Sequence, residues 1–424
     1  MRKANSYSVY LILSAASTLF NAMMFTYLTV YYVQNAKMNP FQLVLVGTVA
    51  EITSFGFEIP TGVVADTYSR RLSVIVGTLI TGAAFLFVGL VPSFPAIATG
   101  LAIWAIGATF ISGAREAWIT DEVGEERVGS VFLHTAQIRQ VAALAGIFVS
   151  AGLAEVDVRL PIVTGAGLTI VLAAYLLFAM PETHARPSVQ GETQSWLTMW
   201  KMLRDGLGLV ARSSLLRWFL IAGIAFGACE EAFGRLGEAH FLIDFHFPAL
   251  GDFKPVVWFG IIAAGVRIFS FIATGAARRW LNMKSSTAMA WGLTMLCLLR
   301  VCCIVAFGLT GNFFLALGAY WGAMMAGQVL QPIYITLINL HIDMRLRATV
   351  LSMLGQADAL GQIAGGPAIG AIGSIYSLRA AMVAAGAVLS PVFLLSWRLL
   401  RRNKKVPAPI EVADTPLQSE ETTL

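Results

Sequence analysis

From Leu72 to Val91 the chain runs twenty residues without a charge, about the length an α-helix needs to cross the hydrocarbon core of a bilayer. Similar charge-poor runs recur at about 7–33, 41–65, 72–91, 95–118, 129–154, 161–180, 216–240, 254–278, 286–309, 312–338, 348–373 and 376–400, predicting twelve spans. Composition leaves no soluble alternative. The sequence is 57% hydrophobic and 12% charged, whereas soluble domains sit near about 45–50% apolar and about 25% charged. The expected product is an all-α membrane protein with twelve transmembrane helices and the lipid bilayer as its first partner.

The basic residues set the orientation. With the N-terminus inside, twenty Lys and Arg fall on the inner side, among them Arg2, Lys3, Arg70, Arg71, Arg127, Arg278, Arg279, Lys284, Arg345 and Arg347, against Lys37, Arg159, Lys254 and Arg379 outside. The positive-inside bias predicts both termini in the cytoplasm and accounts for the net charge of +5 without nucleic acid as a partner. No small-residue cleavage site follows Arg2 and Lys3, so the first run reads as a retained helix. Cys229, Cys297, Cys302 and Cys303 all fall inside spans and read as packing residues. No sequon lies in an outside loop, in keeping with a bacterial cytoplasmic (inner) membrane protein.

The polar interruptions carry the chemistry. Glu51, Glu230 and Asp358 are expected near mid-membrane, as are Arg139, Arg267 and Arg300. Each ionised group costs roughly 2.5–3.5 kcal/mol at the centre of a lipid-facing helix, so all should face protein, water or an opposite charge. Pairing is one reading of three acids and three bases; a proton-carrying set of Glu51, Glu230 and Asp358, with Arg139 and Arg267 as charge partners, is the other. On span 7, Arg235 stands four residues from Glu231 and three from Glu238, which allows an ion network within the helix. Arg115 and Glu116 read as a structural pair, and His134 as a hydrogen-bonded interface residue. In span 11, Gly361, Gly365, Gly366 and Gly370 permit close packing, and Pro367 invites a bend.

Between spans 2 and 3 lies Glu58-Ile59-Pro60-Thr61-Gly62-Val63-Val64-Ala65-Asp66-Thr67-Tyr68-Ser69-Arg70-Arg71, a polar cluster that reads as a tight loop. Gly62 is expected to let two backbones approach, and Asp121 to pair with Arg70 or Arg71. Residues 181–215 form the longest connection, with Trp196, Trp200, Leu203, Leu207 and Val210 spaced for a surface-lying amphipathic helix. The division is thus 1–180, a linker at 181–215, 216–400 and a tail at 401–424. Placing Ser130 on Thr349 superposes Gln137 on Gln356 and Gly146 on Gly365, which supports an internal duplication.

Gly62, Asp66, Arg70 and Arg71 match in spacing the signature loop of the major facilitator superfamily, with Ser69 in place of a second Gly, and the chain resembles that family over nearly all of residues 7–400. Glu58-Ile59-Pro60-Thr61-Gly62 and the Arg347-Ala348-Thr349 loop resemble its drug:proton antiporter branch, which includes macrolide and tetracycline exporters. Gly366-Pro367-x-x-Gly370 is similar to the antiporter signature, displaced from span 5 to span 11, and the mid-span-4 Arg common in antiporters is absent from Ile103-Trp104-Ala105-Ile106-Gly107. The resemblance implies two pseudo-symmetric six-helix bundles that rock about a cavity lined by spans 1, 4, 7 and 10. Substrate should there meet Phe20, Asn21, Met24, Trp104, Phe226, Trp321, Met324 and Gln328. It also implies that Asp66 holds an inner gate against the start of span 11.

The expected function is a proton-driven exporter of small amphiphilic drugs or related metabolites, acting as a monomer without a cofactor. No Gly-rich loop with Lys-Ser/Thr points to ATP, and no enzyme activity is expected. Proton-coupled uptake of a small organic solute, and a non-transporting receptor or assembly factor on the same scaffold, are the alternatives.

Overall fold

The computed structural model describes residues 5–182, 213–281, 285–342 and 347–402. The surface helix expected in the linker, Lys284, Arg345 and the tail beyond 402 lie outside them. The elements are α1 (Ser6–Thr26), α2 (Leu28–Gln34), α3 (Pro40–Thr67), α4 (Arg70–Leu90), α5 (Phe94–Ile111), α6 (Ala114–Val123), α7 (Glu125–Val156) and α8 (Arg159–Ala179). After the linker come α9 (Ser214–Asp244), α10 (Val257–Trp280), α11 (Ser286–Leu309), α12 (Phe313–His341) and α13 (Arg347–Leu360). A π-helical turn (Gly361–Gly365) then leads to α14 (Gly366–Ile375), α15 (Leu378–Val388) and α16 (Ser390–Arg402).

Among the described residues, ten helical spans are long and apolar enough to cross a membrane. The other two crossings are α9, whose Glu230, Glu231, Arg235, Glu238 and Asp244 lower its hydropathy, and α13–α14, which the π turn divides. That turn lies just before Pro367, which has no N–H to give and whose ring would clash with the carbonyl four residues back. Helix starts follow local chemistry. Asn39 and Gln42 form a reciprocal capping box ahead of Pro40, and Ser69, Ser213, Ser285, Asn312 and Ser377 cap α4, α9, α11, α12 and α15.

The loop expected over residues 58–71 is a correction. α3 continues through Thr67, and only Tyr68 and Ser69 separate it from α4. Pro60 sits inside the helix, where the Thr61 hydroxyl adds a 2.8 Å bond to the Phe57 carbonyl; such side-chain bonds let transmembrane helices carry proline. Gly62 has nothing within 4 Å of where a side chain would begin, so it brings no second backbone close. Ser69, in place of the family's Gly, accepts the Leu72 N–H at 2.9 Å and donates to Glu182 at 2.7 Å, so it caps α4.

In the first half α1 packs on α7 and α8, α3 on α5, and α4 on α5 and α8; in the second α9 packs on α13 and its π turn, α11 on α12 and α15, and α10 on α12. Gly146 lies against Leu19 of α1 and Gly365 against Ala228 of α9. The two glycines that superpose in sequence therefore occupy corresponding crossings. The halves meet through α3 on α9 and α14, α7 on α10, and α2 on α9. These junctions lie toward the end remote from the start of α1, the far end: the Phe41 N–H donates to Ser374 at 2.8 Å, the Lys254 N–H to Glu155 at 2.6 Å, and Val44 lies against Gly366 and Gly370. At the opposite, terminal end, Tyr68 and Leu133 are exposed, and α13, which begins there, packs on α9 and its π turn rather than on α3 or α6. The bundle is shut at the far end and open at the terminal end.

Candidate functional site

Helix α9 organises the interior charge. Its Glu231 and Arg235 stand one turn apart and form an ion pair with Nε–Oε1 at 3.1 Å, as their spacing predicts. Glu230, one residue earlier, points elsewhere and meets Arg300 of α11 with Nη2–Oε1 at 2.7 Å. Arg300 is 1% exposed, against 48% for Glu230, and its guanidinium occupies the space a side chain at Gly327 would fill. Glu238 faces Thr29 of α2, in the other half.

Glu51 and Asp358 are only partly buried and form no ion pair among the described residues. Glu51 acts electrostatically on Glu231, Arg235 and Asp358 across the gap between the halves. Asp358 accepts a hydrogen bond from the Gln362 amide at 2.8 Å and feels Glu230. Its backbone carbonyl abuts α9 at Gly227, where a Cβ would stand 2.0 Å from the oxygen. Glu51, Glu230 and Asp358 are thus gathered around α9. Arg139 and Arg267 are a correction: both are exposed, and among the described residues neither forms an ion pair. The guanidiniums that serve the acids are Arg300 and Arg235, contributed by helices 70 residues away and by α9 itself.

The expected cavity residues divide. Asn21 and Gln328 are exposed, and Phe20 and Met324 are part-buried. Met24 is 0% exposed against Gly165, and Phe226 is buried with its ring 5.1 Å from that of Tyr334, so both pack the interior in this conformation. Trp104 stacks edge-on with Phe25 and Phe85 within the first half. Trp321 donates to the Ile262 carbonyl at 3.0 Å and walls an apolar cavity of about 320 Å³ between α7 and α10, with Phe148, Ala151, Ala264 and Ile268.

At the terminal end, Arg70 pairs with Asp121, as expected, and reaches Asp66 at 3.4 Å. Arg71 donates to the carbonyls of Met180 and Leu177 at 2.7 and 2.6 Å, which closes the C-terminus of α8. Asp66 is 60% exposed, and among the described residues no hydrogen bond or ion pair joins it to the start of α13, the gate partner the resemblance implies. With this end open, that gate is unmade. Arg115 pairs with Glu116 at 2.6 Å, and Tyr7 hydrogen-bonds His134, each as the sequence suggests. The Gly47 crossing described below was missed. Its signal, a glycine one turn before Glu51, is visible only once α9 is known to lie opposite.

Residues 10–355 match the family model described as Major Facilitator Superfamily. The uncharacterized MFS-type transporter YxaM of Bacillus subtilis (strain 168) is 23% identical over 385 residues, covering 87% of this chain and 90% of that protein. Among solved structures, the nucleoside transporter NupG superposes with a TM-score of 0.74 at 15% identity, covering 95% of this chain and 100% of that one. A bacterial homolog of the human lysosomal transporter Spinster, in an inward-facing and unoccupied conformation, gives 0.70 at 17% identity, covering 95% and 99%. These likenesses share the twelve-helix fold. The site holds charged pairs and open carboxylates between two helical halves, and the chain belongs to the Major Facilitator Superfamily as an integral membrane transporter, not an enzyme.

Proposed function

We propose that the protein is a proton-driven exporter of amphiphilic organic compounds that works by alternating access in a bacterial cytoplasmic membrane. The observation that carries the reading is the placement of Glu51 and Asp358, part-buried carboxylates on opposite halves that face the gap and, among the described residues, have no ion-pair partner of their own. Glu230 differs from them in being held by Arg300. The apolar cavity beside Trp321 favours a substrate with a bulky apolar body. With the termini in the cytoplasm, as the Lys and Arg bias argues, the open end faces inward and the far end outward.

A second reading, proton-coupled uptake of a small organic solute, draws on Asn21 and Gln328, whose exposed amides would anchor a polar molecule. One experiment separates the two. Accumulation of ethidium, tetracycline, erythromycin and labelled nucleosides is measured in a bacterium lacking its own pumps, with and without this protein and a protonophore. Export predicts lower accumulation of the amphiphiles, restored by the protonophore. Raised nucleoside accumulation would overturn it in favour of uptake.

A further inference from the structure

The far-end closure gathers charge that does not balance. Where α3 crosses α9, a Cβ on Gly47 would stand 1.7 Å from Glu231 Oε1 and 2.9 Å from Arg235 Nε, so the Glu231–Arg235 pair rests on bare α3 backbone. Glu51, one turn further along α3, acts on both members of the pair. Glu238, three residues after Arg235 on α9, faces Thr29 of α2. Tyr32 of α2 is 2% exposed, its hydroxyl has no hydrogen-bond partner among the described residues, and it too acts on Arg235. The remaining charged groups that face Glu51 are Asp358 across the gap and Glu58 two turns along its own helix, both acidic. Tyr320 of α12 faces Glu238.

Three carboxylates, Glu51, Glu231 and Glu238, therefore share one guanidinium. One Arg offsets one of them; the others repel each other and resist burial as anions. Separating α3 from α9 relieves the repulsion, because Glu51 and Thr29 belong to one half and Glu231, Arg235 and Glu238 to the other. We propose that the α2–α3–α9 crossing is a proton-binding site that is complete only when the far end is shut, so that proton uptake closes this end and proton loss opens it. The inference rests on the proton-coupled reading above and supplies its conformational step. Protons taken from outside would shut the outer mouth. Their release into the inward-open cavity would let it reopen.

The test uses the full chain in lipid nanodiscs, with exposed Cys302 and part-buried Cys303 changed to Ser and spin labels on Gln34→Cys and Tyr376→Cys, exposed positions on the two halves at the far end. Pulsed electron paramagnetic resonance then reads the distance between pH 5 and pH 9. The open-to-closed ratio should rise with pH by up to about tenfold per unit for each proton coupled. Glu51→Gln should flatten that slope and favour the closed state; Gly47→Leu should hold the end open at every pH. If Gly47→Leu fails to fold, the native chain and Glu51→Gln decide the matter. A distance indifferent to pH, an unchanged slope in Glu51→Gln, or closure that follows added sodium at fixed pH would each overturn the proposal. A pH-driven distance with protonophore-insensitive accumulation would sink the export reading and leave this site. Protonophore-sensitive export with a pH-indifferent distance would do the reverse.

Discussion

Replacing Glu230 by Gln isolates a buried guanidinium. Arg300 is 1% exposed, and among the described residues its Nε and Nη1 have no hydrogen-bond partner and its one ion pair is with Glu230 at 2.7 Å. At an effective dielectric of about 20, that separation corresponds to roughly 6 kcal/mol of attraction, set against the cost of removing both groups from water. Breaking a buried pair from one side costs about 3–5 kcal/mol, and the half-exposure of Glu230 places this pair at the low end, about 3 kcal/mol. Arg300→Met removes the charge together with its desolvation cost, so it should change stability by less than about 1.5 kcal/mol. Glu230→Gln/Arg300→Met should then match Arg300→Met. Unfolding entropy of about 2.1 cal/mol/K per residue makes 1 kcal/mol worth roughly 1 °C in a chain this long. Heating in detergent, with the surviving monodisperse protein read by size exclusion, should place Glu230→Gln about 3 °C below the native chain and the double variant within about 1 °C of Arg300→Met. Additive effects of the two single changes would refute the pairing argument.

Three further outcomes follow from the same geometry. Asp66→Asn should insert and melt like the native chain, because the exposed Asp66–Arg70 pair is worth about 1 kcal/mol or less, yet lose most export in the accumulation assay; normal export would end the gating role. Asp358→Asn keeps an acceptor for the Gln362 amide, so it should fold normally while its transport ceases to follow an imposed pH gradient in proteoliposomes. Arg71→Ala removes two charge-assisted bonds to the carbonyls that end α8, and should lower stability by about 1–2 kcal/mol without altering proton coupling, as melting and transport together would check.

The helices were legible because lipid makes their signal plain: a charge-free run such as 72–91 has little else to become, and α4 spans Arg70–Leu90. Local pairings were legible too. Glu231–Arg235 follows from helical spacing, and Arg70–Asp121 from two helix ends that meet at one mouth. The polar stretch at 58–71 misled because Pro and Gly punctuate soluble helices more strongly than they punctuate α3, where the neighbouring Thr61 supplies a bond within the same turn. Arg300 could not be assigned to Glu230 from sequence, since 70 residues, including all of α10, separate them. The sequence favours Arg139 and Arg267 over Arg300 as charge partners, because depth in the membrane is readable from position along a span, whereas the direction a side chain faces depends on neighbours. Met24 and Phe226 belong to the same class: apolar residues on cavity helices, turned by packing toward Gly165 and Tyr334.

The proposed coupling ties solute movement to protons through carboxylates between the two halves. It is tested with purified protein in liposomes loaded with a pH-sensitive dye, given an outward or inward pH gradient and then ethidium. Proton flux should run opposite to ethidium flux, reverse when the gradient is reversed and be lost in Asp358→Asn. Ethidium transport at the same rate with and without the gradient, with no change in internal pH, would contradict it.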